Sequence, residues 1–152
     1  MFERIVAAID SDPERGAKVV AAAQELAQKF GSRVLVVHVR EVERPAAMVG
    51  MARPSALPPV LHVESEEEAK ALVDAAVDRL RNAGVGAQGQ VGHGAAGSAA
   101  RSTARDLLEI AQSFGATLIV VGDRGSRVSD VLLGGVAHRI VHLAACPVLL
   151  VR

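Results

Sequence analysis

The stretch L118IVVGDRGSRVSDVLLGGVAHRIV141 decides how the rest of the chain is to be read. An apolar run from Leu118 to Val121 enters a loop holding Gly122 and Gly125, and Gly134 and Gly135 then open a second apolar stretch of helical period. A short run that is apolar on both faces is the pattern of a buried parallel strand, and the periodic stretch predicts a helix over roughly 135–145. Strand, glycine loop and helix N-terminus in that order make an anion site. Glycine lets the backbone come close to a ligand, while the first-turn N–H groups lack intrahelical acceptors and lie at the positive end of the helix dipole. Gly122, Gly125, Gly134 and Gly135 are therefore read as a phosphate cradle.

Outward from this stretch, the chain alternates strands and helices. P147VLLVR152 is a final strand, and a helix precedes the glycine loop from near Ser98 to Phe114, with Leu107, Leu108, Ile110, Ala111 and Phe114 inward and Gly115 as its stop. Residues 86–92 can form a short strand, weakened by its glycines. Ser65 and Glu68 have capping-box spacing, and Ala69, Leu72, Val73, Ala76, Val77 and Leu80 form one face of a helix that ends at Asn82 and Gly84. The segment 41–61, with Pro45, Pro54, Pro58 and Pro59 and no period, is expected to be a flexible surface loop. R33VLVVHV39 is a strand. Before it, Asp12 or Ser11 caps a helix with Pro13 first and Val19, Val20, Ala23, Leu26, Ala27 and Phe30 as its stripe, stopped by Gly31. The opening strand, R4IVAAID10, ends in a carboxylate. Such alternation predicts a parallel sheet with right-handed crossovers and helices on both faces. Ligands of such sheets bind beyond the carboxyl ends of the strands, where strand order reverses. Asp10, Val39 and Gly122 all fall at carboxyl ends.

Composition narrows the function. The 152 residues suit a single domain, 1–152, with one core. Seventeen basic and seventeen acidic residues balance, and three Phe with no Tyr or Trp leave no stacking platform, so nucleic acid is not an expected partner. Apolar runs such as V34LVV37 are too short to span a membrane, and Glu3 and Arg4 stand where a signal peptide needs its apolar core, which implies a cytoplasmic protein. The single Cys146 reads as a small buried hydrophobe. Near-zero net charge is compatible with self-association.

Motifs for other chemistries fail on spacing or context. No segment has the P-loop pattern of two glycines four apart followed by Lys and Ser/Thr. Gly92, Gly94 and Gly97 spell Gly-x-Gly-x-x-Gly, but after the third predicted strand, where a dinucleotide fingerprint follows the first. His138 and His142 are four apart with Arg139 where a zinc-protease motif needs Glu, and read as surface histidines; His38 reads as a hydrogen-bonded core histidine. Ser98, Ser102 and Thr103 are better helix caps than nucleophiles. No catalytic group stands out.

The glycine loop, the strand ending in Asp10 and the C146PVLLV151 ending together resemble the universal stress protein family, in its nucleotide-binding branch, whose pattern is Gly-x-x-Gly, nine residues, then Gly-Ser or Gly-Thr. The resemblance runs over essentially the whole chain. It implies a three-layer α/β/α fold of the Rossmann-like, adenine nucleotide alpha hydrolase-like kind, with a five-stranded parallel sheet of order 3-2-1-4-5. ATP, with a magnesium-like cation on its phosphates, is the implied ligand. Ile9, Asp10 and Val39 would lie at the adenine and ribose side. Val121, Gly122, Arg124 and Gly125 would lie at the ribose and phosphates, and Gly134, Gly135 and Val136 would offer N–H groups to the phosphates. Two features depart from the pattern: eight residues separate Gly125 from Gly134, and Gly135 replaces the hydroxyl residue. Asp123 adds a negative charge near the phosphates that Arg124 and Arg127 would offset. The implied function is a stress-response regulator that binds ATP and acts on a regulatory protein partner. A dimeric interaction module without nucleotide is the alternative, and slow ATP hydrolysis a third. The final strand, an edge in this order, predicts a homodimer joined along Pro147 to Val151.

Overall fold

A computed structural model describes residues 1–40, 42–43, 62–93, 99–123 and 135–152. Five parallel strands form one sheet: β1 (Arg4–Ala8), β2 (Arg33–Val39), β5 (Ala87–Gly92), β6 (Leu118–Gly122) and β7 (Val148–Val151), in the order β5-β2-β1-β6-β7. Counted within this sheet alone, the order is 3-2-1-4-5. Among the described residues the helices are α1 (Pro13–Phe30), α2 (Glu66–Asn82), α3 (Ala99–Phe114) and α4 (Val136–Leu143). Strand order reverses at β1, whose Ala8 stands beside Val37 of β2 on one side and Val121 of β6 on the other.

Alternation along the central strands builds two cores. Ile5, Ala7 and Ile9 of the β1 run pack with Val34, Val36, Leu118 and Val120 under α1 and α2. Val6 and Ala8 pack with Leu35, Val37, Val39, Ile119 and Val121 under α3 and α4. Because both faces of β1, β2 and β6 are covered, their sequences read as unbroken apolar runs. Local signals end the helices as expected. Asp12 caps α1 through its side chain, Gly31 closes it at φ 67°, and Ser65 and Glu68 complete a reciprocal capping box on α2. Gly115, at φ 71°, turns the chain out of α3. The helix expected to start near Ser98 is described from Ala99, and Ser98 lies outside the described residues.

The glycines that weaken β5 as a sequence signal are packing devices. A Cβ on Gly89 would lie 2.2 Å from Val73 Cγ1 of α2. On Gly92 it would lie 2.9 Å from Val39 Cγ2 and 3.4 Å from Ile110 Cδ1. The first glycine of the Gly-x-Gly-x-x-Gly string thus makes room for β2 and α3, while Gly94 and Gly97 lie outside the described residues.

Three details differ from the sequence reading. Val42–Glu43 (β3) and His62–Val63 (β4) form a two-stranded antiparallel ladder, so the segment read as loop over 41–61 opens with a strand. Residues 44–61 lie outside the described residues. Phe30 ends the α1 stripe 47% exposed, because it meets Phe2 edge-on at the rim of the core. Cys146 is half-buried, packed at the border of the α3/α4 core; burial pushes its thiol pKa up.

Candidate functional site

The carboxyl ends of β1 and β6 meet at the reversal point. β1 ends in the buried Ile9, whose N–H donates to Val37 O at 2.9 Å, and Asp10 follows. Both Asp10 oxygens are engaged: Oδ1 accepts from the Asp12 N–H at 3.0 Å, and Oδ2 accepts from Arg15 Nε at 2.6 Å. Arg15 is the third residue of α1, and its own N–H is capped by Asp12 Oδ1 at 3.0 Å. The Arg15 stem lies over Gly122: a Cβ there would sit 2.5 Å from Arg15 Cγ and 2.9 Å from Cδ. The absence of a side chain at Gly122 thus admits the Arg15 stem.

One strand away, Val39 ends β2 buried, and His38 before it is 1% exposed on the α1/α2 side of the sheet. Its two ring nitrogens face oxygen acceptors. Nδ1 donates to Ile9 O at 2.9 Å, and Nε2 lies 2.9 and 2.8 Å from the two carboxylate oxygens of Glu64. Arg40 holds the same segment from outside, donating through Nε and a terminal nitrogen to Glu64 O at 3.1 and 2.9 Å. His38 is therefore the hydrogen-bonded core histidine the sequence suggests, and it ties the entry to α2 onto the backbone beside Asp10.

On the other side of the reversal, Gly135 is the N-cap of α4 and Val136 its first residue. A Cβ on Gly135 would have nothing within 4 Å, and the N-cap offers no side-chain oxygen to the first-turn N–H groups. Among the described residues, that arrangement leaves helix donors and open space for an anion. Asp123 donates its N–H to Val151 O at 2.8 Å, and its carboxylate lies 3.3 Å from Arg152 Nε. Arg152 is thus a cation beside Asp123 that the sequence reading did not name. Arg124, Gly125, Arg127 and Gly134 lie outside the described residues.

The structure thus brings Ile9, Asp10, Val39, Val121 and Gly122 to adjoining strand ends and places Gly135 and Val136 at a helix start. Sequence reasoning missed Arg15 and Glu64. Arg15 had a usable signal, a cation three residues past an N-cap Asp and five past a strand-end Asp; Glu64, one residue before the capping box, had none. Among the described residues no group of three or more His, Cys, Asp or Glu gathers as a metal site, and His138 and His142 are exposed, their rings 4.4 Å apart. Among the described residues no helix is long and apolar enough to cross a membrane.

A parallel five-stranded sheet of this order, covered by helices on both faces, defines a three-layer α/β/α fold of the adenine nucleotide alpha hydrolase-like type. Within that class the chain belongs to the universal stress protein family, whose model matches residues 1–152. It is 31% identical over 156 residues to universal stress protein YxiE of Bacillus subtilis, covering 100% of both chains. It shares the fold of a universal stress protein solved in complex with cAMP, with a TM-score of 0.72, 20% identity and coverage of 99% of this chain and 97% of that one. It also shares the fold of the universal stress protein from Archaeoglobus fulgidus in complex with dAMP, with a TM-score of 0.64, 21% identity and coverage of 100% and 98%.

Proposed function

We propose that this protein binds ATP in the crevice at the carboxyl ends of β1 and β6 and acts in the cytoplasm as a stress-response regulator whose nucleotide occupancy sets its engagement of a protein partner. The observation that carries the reading is the meeting of Asp10 and Gly122 at the point where strand order reverses, with the open N-terminus of α4 as the third element of the sequence motif. Ile9, Asp10 and Val39 would hold the adenine and ribose side. Val121, Gly122, Arg124 and Gly125 would border the ribose and phosphates, and Gly134, Gly135 and Val136 would donate backbone N–H groups. Magnesium would enter on the phosphates. The nucleotides in the structures of two proteins of the same fold support an adenine ligand.

Calorimetric titration with Mg-ATP tests the proposal. Saturation at one hundred times the dissociation constant raises stability by about 2.7 kcal/mol, so heat of binding and a rise in Tm are expected together. The absence of both signals at millimolar ATP defeats it.

A second reading, a homodimeric interaction module, has its own support. β7 is an edge strand, and Leu149 and Leu150 on it are 39% and 41% exposed. Pairing of Pro147 to Val151 with a second copy would cover both leucines. Light scattering is expected to give twice the chain mass at micromolar concentration; a monomer there removes this reading without touching the first.

A further inference from the structure

Arg15 belongs to no part of the nucleotide motif, yet it joins the end of β1 to the end of β6. Its stem covers Gly122, its Nε donates to Asp10 Oδ2 at 2.6 Å, and a terminal nitrogen lies 3.5 Å from Asp12 Oδ2. The Arg15 and Asp10 side chains are 22% and 21% exposed, so the pair is packed against the fold and still reaches solvent. Resting on the nucleotide reading above, we propose that Arg15 is the residue that sets this chain's preference for phosphorylated over unphosphorylated adenine nucleosides.

The argument is one of charge and of acceptor occupancy. Asp10 and Asp12 place two carboxylates at the end of β1, and Arg15 is a cation paired with both. With its charge removed, the strand end repels an incoming anion in proportion to the anion's charge, a field effect that does not need direct contact. A neutral nucleoside feels no such repulsion. Its binding is spared, and the loss of one donor to Asp10 Oδ2 leaves that carboxylate better able to accept from a ribose hydroxyl. Loss of the Arg15 charge therefore weakens a charged ligand and spares a neutral one, which loss of packing alone does not do. Because the pair reaches water, salt weakens the effect.

Binding of ATP, AMP and adenosine to wild type, Arg15→Gln and Arg15→Lys, each at low and high salt, tests the proposal. Wild type is expected to bind ATP most tightly and adenosine least, with the ATP-to-adenosine ratio falling as salt rises. Arg15→Gln is expected to weaken ATP by roughly tenfold and AMP by less, leaving adenosine unchanged or tighter, while Arg15→Lys keeps most of the ATP affinity. An equal loss for all three ligands overturns the proposal, as does tighter ATP binding by Arg15→Gln, which would make Arg15 a plug. If Arg15→Gln unfolds, Arg15→Lys and the wild-type salt series decide: a salt-independent ratio overturns it. A wild type that binds none of the three refutes the nucleotide reading itself and the inference with it, a failure visible before any substitution is made.

Discussion

Two carboxylates stand at neighbouring strand ends and are used in different ways. Asp10, after β1, is paired with Arg15 where both side chains still reach solvent; Glu64, over the end of β2, is paired with a His38 that is 1% exposed. Both pairs are short, at 2.6 and 2.8 Å. Burial separates them. A pair that reaches water is worth little to stability, since each charge is solvated nearly as well apart, and it can exchange partners with a ligand. A buried pair has no water at hand to replace a lost partner, so breaking it strands a polar group in an apolar layer. The first pair belongs to the binding surface and the second to the scaffold holding that surface in place, although Asp10 and the Ile9 carbonyl that His38 holds are one residue apart.

The largest effect should come from the buried pair. Glu64→Ala leaves His38 Nε2 facing a void and is expected to cost about 3 kcal/mol, seen as a lower denaturant midpoint at unchanged m-value. Glu64→Gln should lose only about 1 kcal/mol, because the amide can donate to Nε2 while Nδ1 keeps its proton for Ile9 O; equal losses for the two variants would show that the bond to His38 is not what holds Glu64. Next comes Gly122→Ala. Its methyl would sit 2.5 Å from Arg15 Cγ, too near the backbone end of that side chain for a small adjustment, so Arg15 must leave Asp10 at a cost of about 1–2 kcal/mol. A crystal structure of this variant with the Asp10–Arg15 contact intact would contradict the packing argument. Arg15→Gln itself should change stability by less than about 1 kcal/mol, well below Glu64→Ala; a comparable loss would erase the distinction between the two pairs. Smallest is Gly16→Ala, in the first turns of α1. Its Cβ would meet Asp10 O at 3.8 Å and Ile9 Cβ at 3.9 Å, ordinary contacts, so the gain in helix propensity should stabilise the chain by about 0.5 kcal/mol, measurable as a small rise in Tm.

Much of the fold was legible because its signals are local. The apolar runs of β1, β2 and β6, the Asp12 cap, the Ser65–Glu68 box and the stops at Gly31 and Gly115 each act within a few residues. Gly89 and Gly92 weakened the signal of a strand that the reading still placed at 86–92, since a glycine needed for close packing against α2 or β2 and α3 looks in sequence like a broken strand or a ligand motif. The β3–β4 ladder was illegible because two-residue strands carry no period, and their pairing joins positions on either side of a long segment.

For the site, the sequence by itself determined which residue types stand at strand ends and helix starts: Asp10, Val39 and Gly122 at the first, Gly135 and Val136 at the second. Those assignments follow from period and capping, which depend on neighbours in the chain. Only the tertiary structure decided what those residues touch. Asp10 is paired with Arg15, Gly122 makes room for that arginine's stem, Asp123 is paired with Arg152, and His38 is held by Glu64 across 26 residues of sequence. The reason is physical. A hydrogen-bond partner is chosen by distance in space and by the water excluded around it, and neither is set until the sheet has brought separate strands together.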